Sequence, residues 1–388
     1  MRYCRWLVLF CIALLAVSAS AQDLVTMEGV NGAVQVIGEG DDEITVLYTW
    51  GTPYEMGYAH GKLLTEGVQH LHEVSLGRFM FGIGMGPEEI DAVWAMAEPF
   101  VPTADLEEMR GLADGTDGAV SLEQIHRLHI VPEISEWHCT FFAAWGDATS
   151  NGNLIQIRAL DFATEAAVQE VPLITVAFPD GGQPYLTVGW QGFVGTVTGM
   201  NAAKIAMSEI GDDWDKDNDT YEGIPMIFLM KDVVRSAGTL DEAVAMVENA
   251  PRTSSYLYCL GDAKIPSARA LQTSHAECHV YGPDTLPYDQ LADTVYMSMG
   301  VDSDWNDKVG GVLADGHGDI DLSFATEDIM TGCGTGDLHA VAFDVTDGLM
   351  WLANAQGDIG AIVDGFDRPY VEFDAAGAFQ KVAELAEE

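Results

Sequence analysis

Positively charged residues are scarce in this sequence. It has 17 lysines and arginines against 61 aspartates and glutamates in 388 residues, a formal net charge of −44 at pH 7. Nucleic acids and anionic membranes are bound largely through Lys and Arg contacts with phosphate groups, so this balance argues against both as partners. We interpret the acidity as a solvated surface charge, suited to a salty medium that screens self-repulsion.

Long apolar runs are also lacking after the N-terminus. Beyond residue 21 no stretch reaches the roughly 18 apolar residues that a membrane-spanning helix needs. Residues 1–21 have the pattern of a secretion signal, with Arg2 and Arg5 before the apolar run "LVLFCIALLAV" and a small-residue cleavage site, "ASA", before Gln22. A retained anchor is the less favoured alternative, because the apolar run is short. We therefore expect a secreted or periplasmic protein without a stable membrane anchor.

Cysteine is infrequent, with six residues, of which Cys4 and Cys11 lie in the signal. The cysteines that remain are too few for a disulfide framework in a chain of this length. Cys259 and Cys278 both lie in strand-like runs, "YLYCLGD" and "AECHVYG". The sequence leaves open whether these two form a disulfide.

Metal-ligand patterns are sparse as well. His126 and His129 are three residues apart on a predicted helix, but no carboxylate or cysteine completes a zinc pattern. Asp213, Asp215 and Asp217 have the spacing of a calcium loop, yet the Gly and Glu of an EF-hand are absent from their expected positions. We predict a solvated acidic loop here, and no metal or cofactor.

The sequence pattern changes at Cys139. Before it, a short strand, "ITVLYTW", is followed mainly by helices, one beginning at Pro53 and another after Ser121, which has capping-box spacing with Gln124. After Cys139, strand-like runs continue on both sides of two helices, "GIPMIFLMKDVVRSAG" and "TLDEAVAMVENA". Strand runs separated by a helical pair predict two sheets covered by helices, an α+β fold.

The change of pattern coincides with a group of reactive side chains. "CTFFAAWGDATSNGNLIQIRALDF" predicts a β-hairpin turning at "SNGN", whose second strand brings Arg158 and Asp161 back toward Cys139. Because side chains alternate along a strand, residues 158 and 161 can both face the thiol only at a bulge or a strand end. The alternative interpretation is a buried structural cysteine beside an Arg158–Asp161 salt bridge, since unbridged cysteine is among the most buried residue types.

The same stretch resembles the activation site of the peptidase C45 family, the acyl-coenzyme A:6-aminopenicillanic acid acyltransferase family of N-terminal nucleophile hydrolases. The matching residues are Cys139, Thr140, Ala148, Thr149, Gly152, Arg158 and Asp161. Weaker likenesses extend the resemblance over about residues 45–355, and they include Gly57, His60, Gly61, Gly199 and Asn201.

The resemblance implies a four-layer αββα fold in residues 139–388, preceded by a helical, propeptide-like segment, residues 22–138. It also implies self-cleavage of the bond between His138 and Cys139, which leaves Cys139 with a nucleophilic thiol and a basic α-amine. Arg158 would favour the thiolate, and Asp161 would orient the amine. The implied activity is acyl transfer to water or to an amine, from a small-molecule amide or acyl substrate, through an acyl-thioester on Cys139.

Oxyanion and substrate contacts are expected from Thr140 and Asn201, and from backbone amides near residues 192–195. We also expect the cleaved fragments to stay associated, because the helices before Cys139 have apolar faces that are costly to expose. Two alternatives remain open. One is a non-catalytic exported protein that kept the fold and binds calcium or another ligand, and the other is a lipid ester or amide hydrolase of the same fold.

Overall fold

The structure is a computed structural model that describes residues 23–135 and 139–387. The predicted signal, residues 1–21, and His138 lie outside the described residues. Within that part of the chain sixteen strands are present: β1 Val25–Thr26, β2 Gly32–Ile37, β3 Ile44–Gly51, β4 Thr140–Ala144, β5 Ile155–Leu160, β6 Pro172–Pro179, β7 Tyr185–Trp190, β8 Thr198–Asn201, β9 Ile205–Gly211, β10 Tyr256–Asp262, β11 Ser267–Thr273, β12 Cys278–Tyr281, β13 Thr294–Ser298, β14 His339–Asp344, β15 Leu349–Asn354 and β16 Val371–Asp374.

The same residues form eleven α-helices: α1 Pro53–Leu63, α2 Thr65–His70, α3 Leu76–Ile83, α4 Pro87–Ala97, α5 Thr103–Gly115, α6 Leu122–Ile134, α7 Met226–Ser236, α8 Leu240–Asn249, α9 Trp305–Asp315, α10 Leu322–Phe324 and α11 Ala375–Glu387. Helices α1 and α6 begin where the sequence predicts. A capping box closes each N-terminus, formed by Thr52 with Glu55 before α1 and by Ser121 with Gln124 before α6.

Two sheets stack face to face in the centre of the molecule. Among the described strands, the larger sheet has the order β1-β2-β3-β6-β7-β8-β9-β10-β11-β12 and the smaller β13-β4-β5-β14-β15-β16. Strands β4 and β5 pack against β9 and β10 across the interface, α7 and α8 cover the larger sheet, and α9 and α10 cover the smaller. This four-layer arrangement confirms the predicted α+β fold class.

The segment before Cys139 is less purely helical than the sequence predicts. It contributes β1, β2 and β3 to the larger sheet, and β3 pairs in parallel with β6, from Thr45 opposite Leu173 to Gly51 opposite Pro179. The sequence predicts β3 alone, because β1 and β2 are short and their alternation is hard to separate from a loop. Residues 23–135 therefore share a sheet with the rest of the described chain, and a functional division at Cys139 remains a prediction.

Helices α1 and α5 approach each other through glycines. Gly57 and Gly61 on α1 lie against the backbone of α5, Gly61 directly opposite Gly115, and Gly111 on α5 lies against the backbone of α1. A Cβ atom added to Gly57 would lie 1.9 Å from the carbonyl oxygen of Glu108, well inside van der Waals contact. This contact explains why the first helix carries two glycines four residues apart despite their low helix propensity.

Other sequence expectations can be compared with the structure directly. Cys259 on β10 and Cys278 on β12 are both unbridged, and β11 lies between their strands. Of the helices in residues 23–135 and 139–387, none is long and apolar enough to cross a membrane. Nor do the described residues include a group of three or more His, Cys, Asp or Glu side chains placed to hold a metal ion.

The glycine contact predicts a stability effect. Gly57→Ala should lower the free energy of unfolding by about 1–3 kcal/mol, because the new methyl group forces α1 and α5 apart. Thermal unfolding followed by circular dichroism measures this effect. Gly77→Ala on α3 is the matched control, since its Cβ would have no neighbour within 4 Å. Equal unfolding temperatures for the two variants would contradict the packing argument.

Candidate active site

The β4–β5 hairpin brings the predicted catalytic side chains together. Thr140 pairs with Ala159, and β5 ends at Leu160, so Asp161 follows the strand end as the spacing argument requires. The thiol of Cys139 donates to the backbone carbonyl of Asp161 with a sulfur–oxygen distance of 3.8 Å. The positive charge of Arg158 also acts on the Cys139 thiol and favours its ionised form.

Arg158 forms its ion pair with a residue that the hairpin alone does not reveal. Its side chain is fully buried, and it pairs with the carboxylate of Glu209 on β9. A second guanidinium nitrogen donates to the carbonyl of Ala159 at 2.8 Å. The Arg158–Asp161 salt bridge of the alternative interpretation is therefore wrong, because the guanidinium pairs with Glu209 on the facing sheet.

The Arg158–Glu209 ion pair affects the pKa of the Cys139 thiol. Burial raises the pKa of Cys139 to about 12, against the lowering effect of Arg158, while Glu209 and Asp161 raise it further. Glu209 offsets much of the positive charge with which Arg158 would stabilise a thiolate. In the chain as described, the thiol is therefore protonated at neutral pH.

The Asp161 carboxylate is held by the loop before β14. One oxygen accepts from the backbone amides of Gly336 at 2.6 Å and Asp337 at 2.9 Å, and the other accepts from the hydroxyl of Thr335 at 2.8 Å. Burial raises the pKa of Asp161, whereas these hydrogen bonds oppose that shift. Three donors fix the carboxylate at the strand end beside Cys139.

Thr140 lies behind this carboxylate. Its buried hydroxyl oxygen is 2.7 Å from that of Ser298 and 3.0 Å from that of Thr335, which in turn bonds Asp161. Thr140 is therefore one hydroxyl removed from Asp161, and its neighbours suggest that it supports the carboxylate rather than a substrate. Neither Thr335 nor Ser298 is predicted from the sequence as a site residue, because both lie far from Cys139 along the chain. The small-residue run "GCGTGD" is the one local signal near Thr335.

The structure does not support Asn201 as an oxyanion donor. Its amide nitrogen donates to the carbonyls of Val234 and Ala237, both at 2.9 Å, and its oxygen accepts from the Ile205 amide at 3.0 Å. Both N–H groups are used to hold the β8–β9 turn against the end of α7. The carboxamide therefore has no donor left for a substrate.

Two of the backbone amides expected in the oxyanion site are also occupied. The Gly192 amide donates to Nε2 of His60 at 2.8 Å, and the Val194 amide donates to Nε2 of His129 at 2.9 Å. This part of the prediction is corrected as well, because the histidines of the N-terminal helices are the partners of these amides.

A largely apolar cavity of about 80 Å³ lies beside Cys139. The chain on both sides of Cys139 builds its walls, so neither part forms the cavity alone. The polar side chains in the lining include those of Ser75, Ser135 and Glu209. The principal apolar side chains are those of Leu71, Phe79, Leu128, Val131, Leu160, Phe162, Trp190, Phe193 and Val197.

No protein-family model matches the chain. It is similar to two Dictyostelium discoideum proteins. Protein dcd1B is 26% identical over 369 residues, which cover 85% of this chain and 72% of that protein. Protein dcd1A is 27% identical over 366 residues, which cover 83% of this chain and 81% of that protein.

Two solved structures are also similar. One is a Caenorhabditis elegans ortholog of N-acylethanolamine-hydrolyzing acid amidase, with a TM-score of 0.40 and 15% identity over 54% of this chain and 93% of that one. The other is a penicillin V acylase from Agrobacterium tumefaciens, with a TM-score of 0.37 and 12% identity over 61% of this chain and 91% of that one.

The ion pair at the site leads to a test of the thiol. Glu209→Gln should lower the pKa of Cys139, because it removes a negative charge that raises this pKa and keeps the positive charge of Arg158 that lowers it. The rate of iodoacetamide alkylation at Cys139 as a function of pH, resolved by peptide mass spectrometry, measures this shift.

Two controls accompany this measurement. The half-buried thiol of Cys278 should keep its own pH profile in the variant, and the exposed Glu222→Gln should leave the Cys139 profile unchanged. Circular dichroism checks that Glu209→Gln still folds, since breaking a buried ion pair costs about 3–5 kcal/mol. A folded variant with the wild-type Cys139 profile would show that Glu209 does not govern the thiol.

Proposed function

We propose that this chain is an exported, self-cleaving cysteine hydrolase or acyltransferase of the peptidase C45 kind, which acts on amide bonds through an acyl-thioester on Cys139. The observation that carries the proposal is the group beside the apolar cavity: the Cys139 thiol, whose ionised form the charge of Arg158 favours, and the Asp161 carboxylate fixed by three donors. A nucleophile, a cation and an orienting carboxylate are the parts that such an enzyme needs.

Self-cleavage would begin at the bond between residues 138 and 139. The sulfur of Cys139 attacks the carbonyl carbon of residue 138, the carbon–nitrogen bond breaks, and the released amine takes up a proton. Water then hydrolyses the thioester, which regenerates the thiol and leaves a carboxylate on residue 138. The product is an N-terminal Cys139 whose α-amine has an ordinary pKa of about 7.7–8.0, suited to accept and return a proton near neutral pH.

Turnover would use the same sulfur. The α-amine takes the thiol proton, the thiolate attacks the substrate carbonyl, and the α-ammonium returns the proton to the leaving amine. The acyl-thioester that remains is attacked by water, giving an acid, or by a second amine, giving a new amide. Arg158 stabilises the thiolate, and Asp161 orients the α-amine.

The cavity suggests which part of the substrate is bound. Its lining beside Cys139 is dominated by aliphatic and aromatic side chains such as Leu71, Leu128 and Phe193. Such a lining favours an apolar acyl group, because burial of apolar surface is favourable whereas an unpaired polar group is penalised. We therefore propose a small-molecule amide with an apolar acyl group as the substrate.

A non-catalytic, ligand-binding protein is the second candidate. The high pKa of Cys139 and the pairing of Arg158 with Glu209 favour it, since both keep the thiol protonated in the chain as described. Such a protein would use the same apolar cavity without forming a covalent intermediate. Cleavage at Cys139 distinguishes the two candidates.

We also propose that the two fragments stay together after cleavage. Parallel pairing of β3 with β6 joins them within one sheet, and Lys231 on α7 forms a buried ion pair with Glu108 on α5 at 2.6 Å. Both fragments should therefore elute as one species in native size-exclusion chromatography and separate in denaturing gels. Independent elution under native conditions would contradict this proposal.

The role of Cys139 can be tested by substitution. Cys139→Ala should remain a single uncut chain without amidase activity, because alanine cannot attack the carbonyl of residue 138. Cys139→Ser should cleave slowly, because a hydroxyl can attack the same carbonyl. Intact-mass measurement of the purified proteins identifies the fragments.

The control is Cys333→Ala, which removes a buried thiol outside the site and should leave cleavage intact. A wild-type break with Cys139 as the new N-terminus, absent from Cys139→Ala, supports the proposal. A Cys139→Ala chain that still splits before residue 139 would contradict it, as would an uncut wild type that hydrolyses amides.

A further inference from the structure

One wall of the cavity beside Cys139 is formed by the connection between β7 and β8. Trp190, at the end of β7, and Phe193 and Val197, in the connection, all line the cavity. The rings of Trp190 and Phe193 contact each other edge to face, with centroids 5.5 Å apart. The position of this connection therefore determines the shape of the space next to the thiol.

Side chains from elsewhere in the fold hold the Gly192 peptide of this connection on both sides. Its N–H donates to Nε2 of His60 at 2.8 Å, and its carbonyl is 3.1 Å from Nε2 of His72. Gly192 has a φ of +101°, and an added Cβ would lie 3.1 Å from the Cα of Val68. The backbone is thus placed tightly against the N-terminal helices.

The Val194 peptide is held in the same way. Its N–H donates to Nε2 of His129 at 2.9 Å, and its carbonyl accepts from the ammonium of Lys231 at 2.6 Å. Nδ1 of His129 lies 2.7 Å from the carbonyl of Ile125, so the ring proton is on Nδ1 and Nε2 is free to accept. The His129 ring also stacks on Phe193, with centroids 5.2 Å apart and planes 8° from parallel.

Acceptance of a backbone N–H requires a neutral imidazole. Burial lowers the pKa of His60 to about 3 and that of His72 to about 4, and it lowers the pKa of His129 well below the ordinary value. The geometry and the charge state therefore agree for His60 and His129. In the mechanism proposed above, these two residues have no part in bond making or breaking.

We propose that His60 and His129 are positioning residues for substrate selection: by accepting the Gly192 and Val194 amides, they hold Trp190 and Phe193 in the wall that shapes the pocket for an apolar acyl group. The proposal rests on the proposed function in taking this cavity as the acyl site. It adds that residues of the segment before Cys139 determine the selectivity of the Cys139 nucleophile.

The test uses alkylation of Cys139, which needs no turnover. Purified full-length chain is treated with iodoacetamide or with N-butyliodoacetamide, and the rate at each cysteine is measured by peptide mass spectrometry. The quantity compared is the ratio of the butyl to the parent rate at Cys139, with the ratio at Cys278 as an internal control. In the wild type this ratio should be higher at Cys139, because the butyl chain enters the apolar cavity.

Two pairs of variants separate the effect of the histidine hydrogen bonds from the effect of side-chain size. His60→Leu and His129→Leu remove the acceptor, and each should lower the Cys139 ratio about fivefold or more, the scale on which small changes in an apolar pocket alter selectivity. His60→Gln and His129→Gln place an amide oxygen near the position of Nε2, and His60→Gln should keep the ratio within about twofold of wild type. The exposed His279→Leu should have no effect.

Each outcome supports or overturns the proposal. A folded His60→Leu with a reduced ratio, restored in His60→Gln, supports it. A folded His60→Leu with the wild-type ratio overturns it. If the leucine variants do not fold, His60→Gln decides, with Phe193→Ala as a reference variant in which the wall has lost its aromatic ring. A butyl-to-parent ratio in His60→Gln as low as that in Phe193→Ala overturns the proposal, because the retained acceptor then does not position the wall. Absent cleavage and absent turnover would overturn the proposed function but leave this measurement valid.

Discussion

The buried ion pair between Arg158 and Glu209 is the interaction on which the site depends. A guanidinium that is fully buried in a protein interior needs a partner, and Glu209 supplies it from the opposite sheet. The pair thereby links β5 to β9 and fixes the cation beside the Cys139 thiol. The same carboxylate that makes burial of Arg158 tolerable also offsets the charge that Arg158 could offer to a thiolate. The Glu209 carboxylate thus stabilises the buried guanidinium but makes the Cys139 thiol less reactive.

The segment before Cys139 also helps to form the fold around the site. Its strand β3 extends the larger sheet, its glycines bring α1 against α5, and its histidines bind the connection that forms one cavity wall. These contacts are backbone pairing, close helix packing and buried hydrogen bonds, which do not depend on a covalent bond between residues 138 and 139. We therefore expect the proposed break at that bond to leave them in place.

The sequence was most informative where the interacting residues are close together in the chain. The β4–β5 hairpin places Cys139, Arg158 and Asp161 through local pairing, and turn residues and alternation reveal such a hairpin directly. Glu209 and Thr335 are distant in sequence, and their contacts arise from sheet stacking and from a loop. The local pattern of hydrophobic and polar residues predicts neither the contact of Glu209 nor that of Thr335. Asn201 shows that a matching motif does not fix a role. It matches a family motif in sequence, but its carboxamide holds a turn.

The protonated thiol follows mainly from its burial, to which the charges of Glu209 and Asp161 add, and it belongs to the uncut chain. In that chain the nitrogen of Cys139 is part of a neutral peptide bond and contributes no charge to the site. On the proposed mechanism, cleavage replaces it with an amine that titrates near neutral pH and is covalently adjacent to the sulfur. A positive charge so close favours the thiolate, acting with Arg158 and against Glu209. On the proposed mechanism, cleavage would therefore both expose the base and shift the balance of charge toward the reactive form.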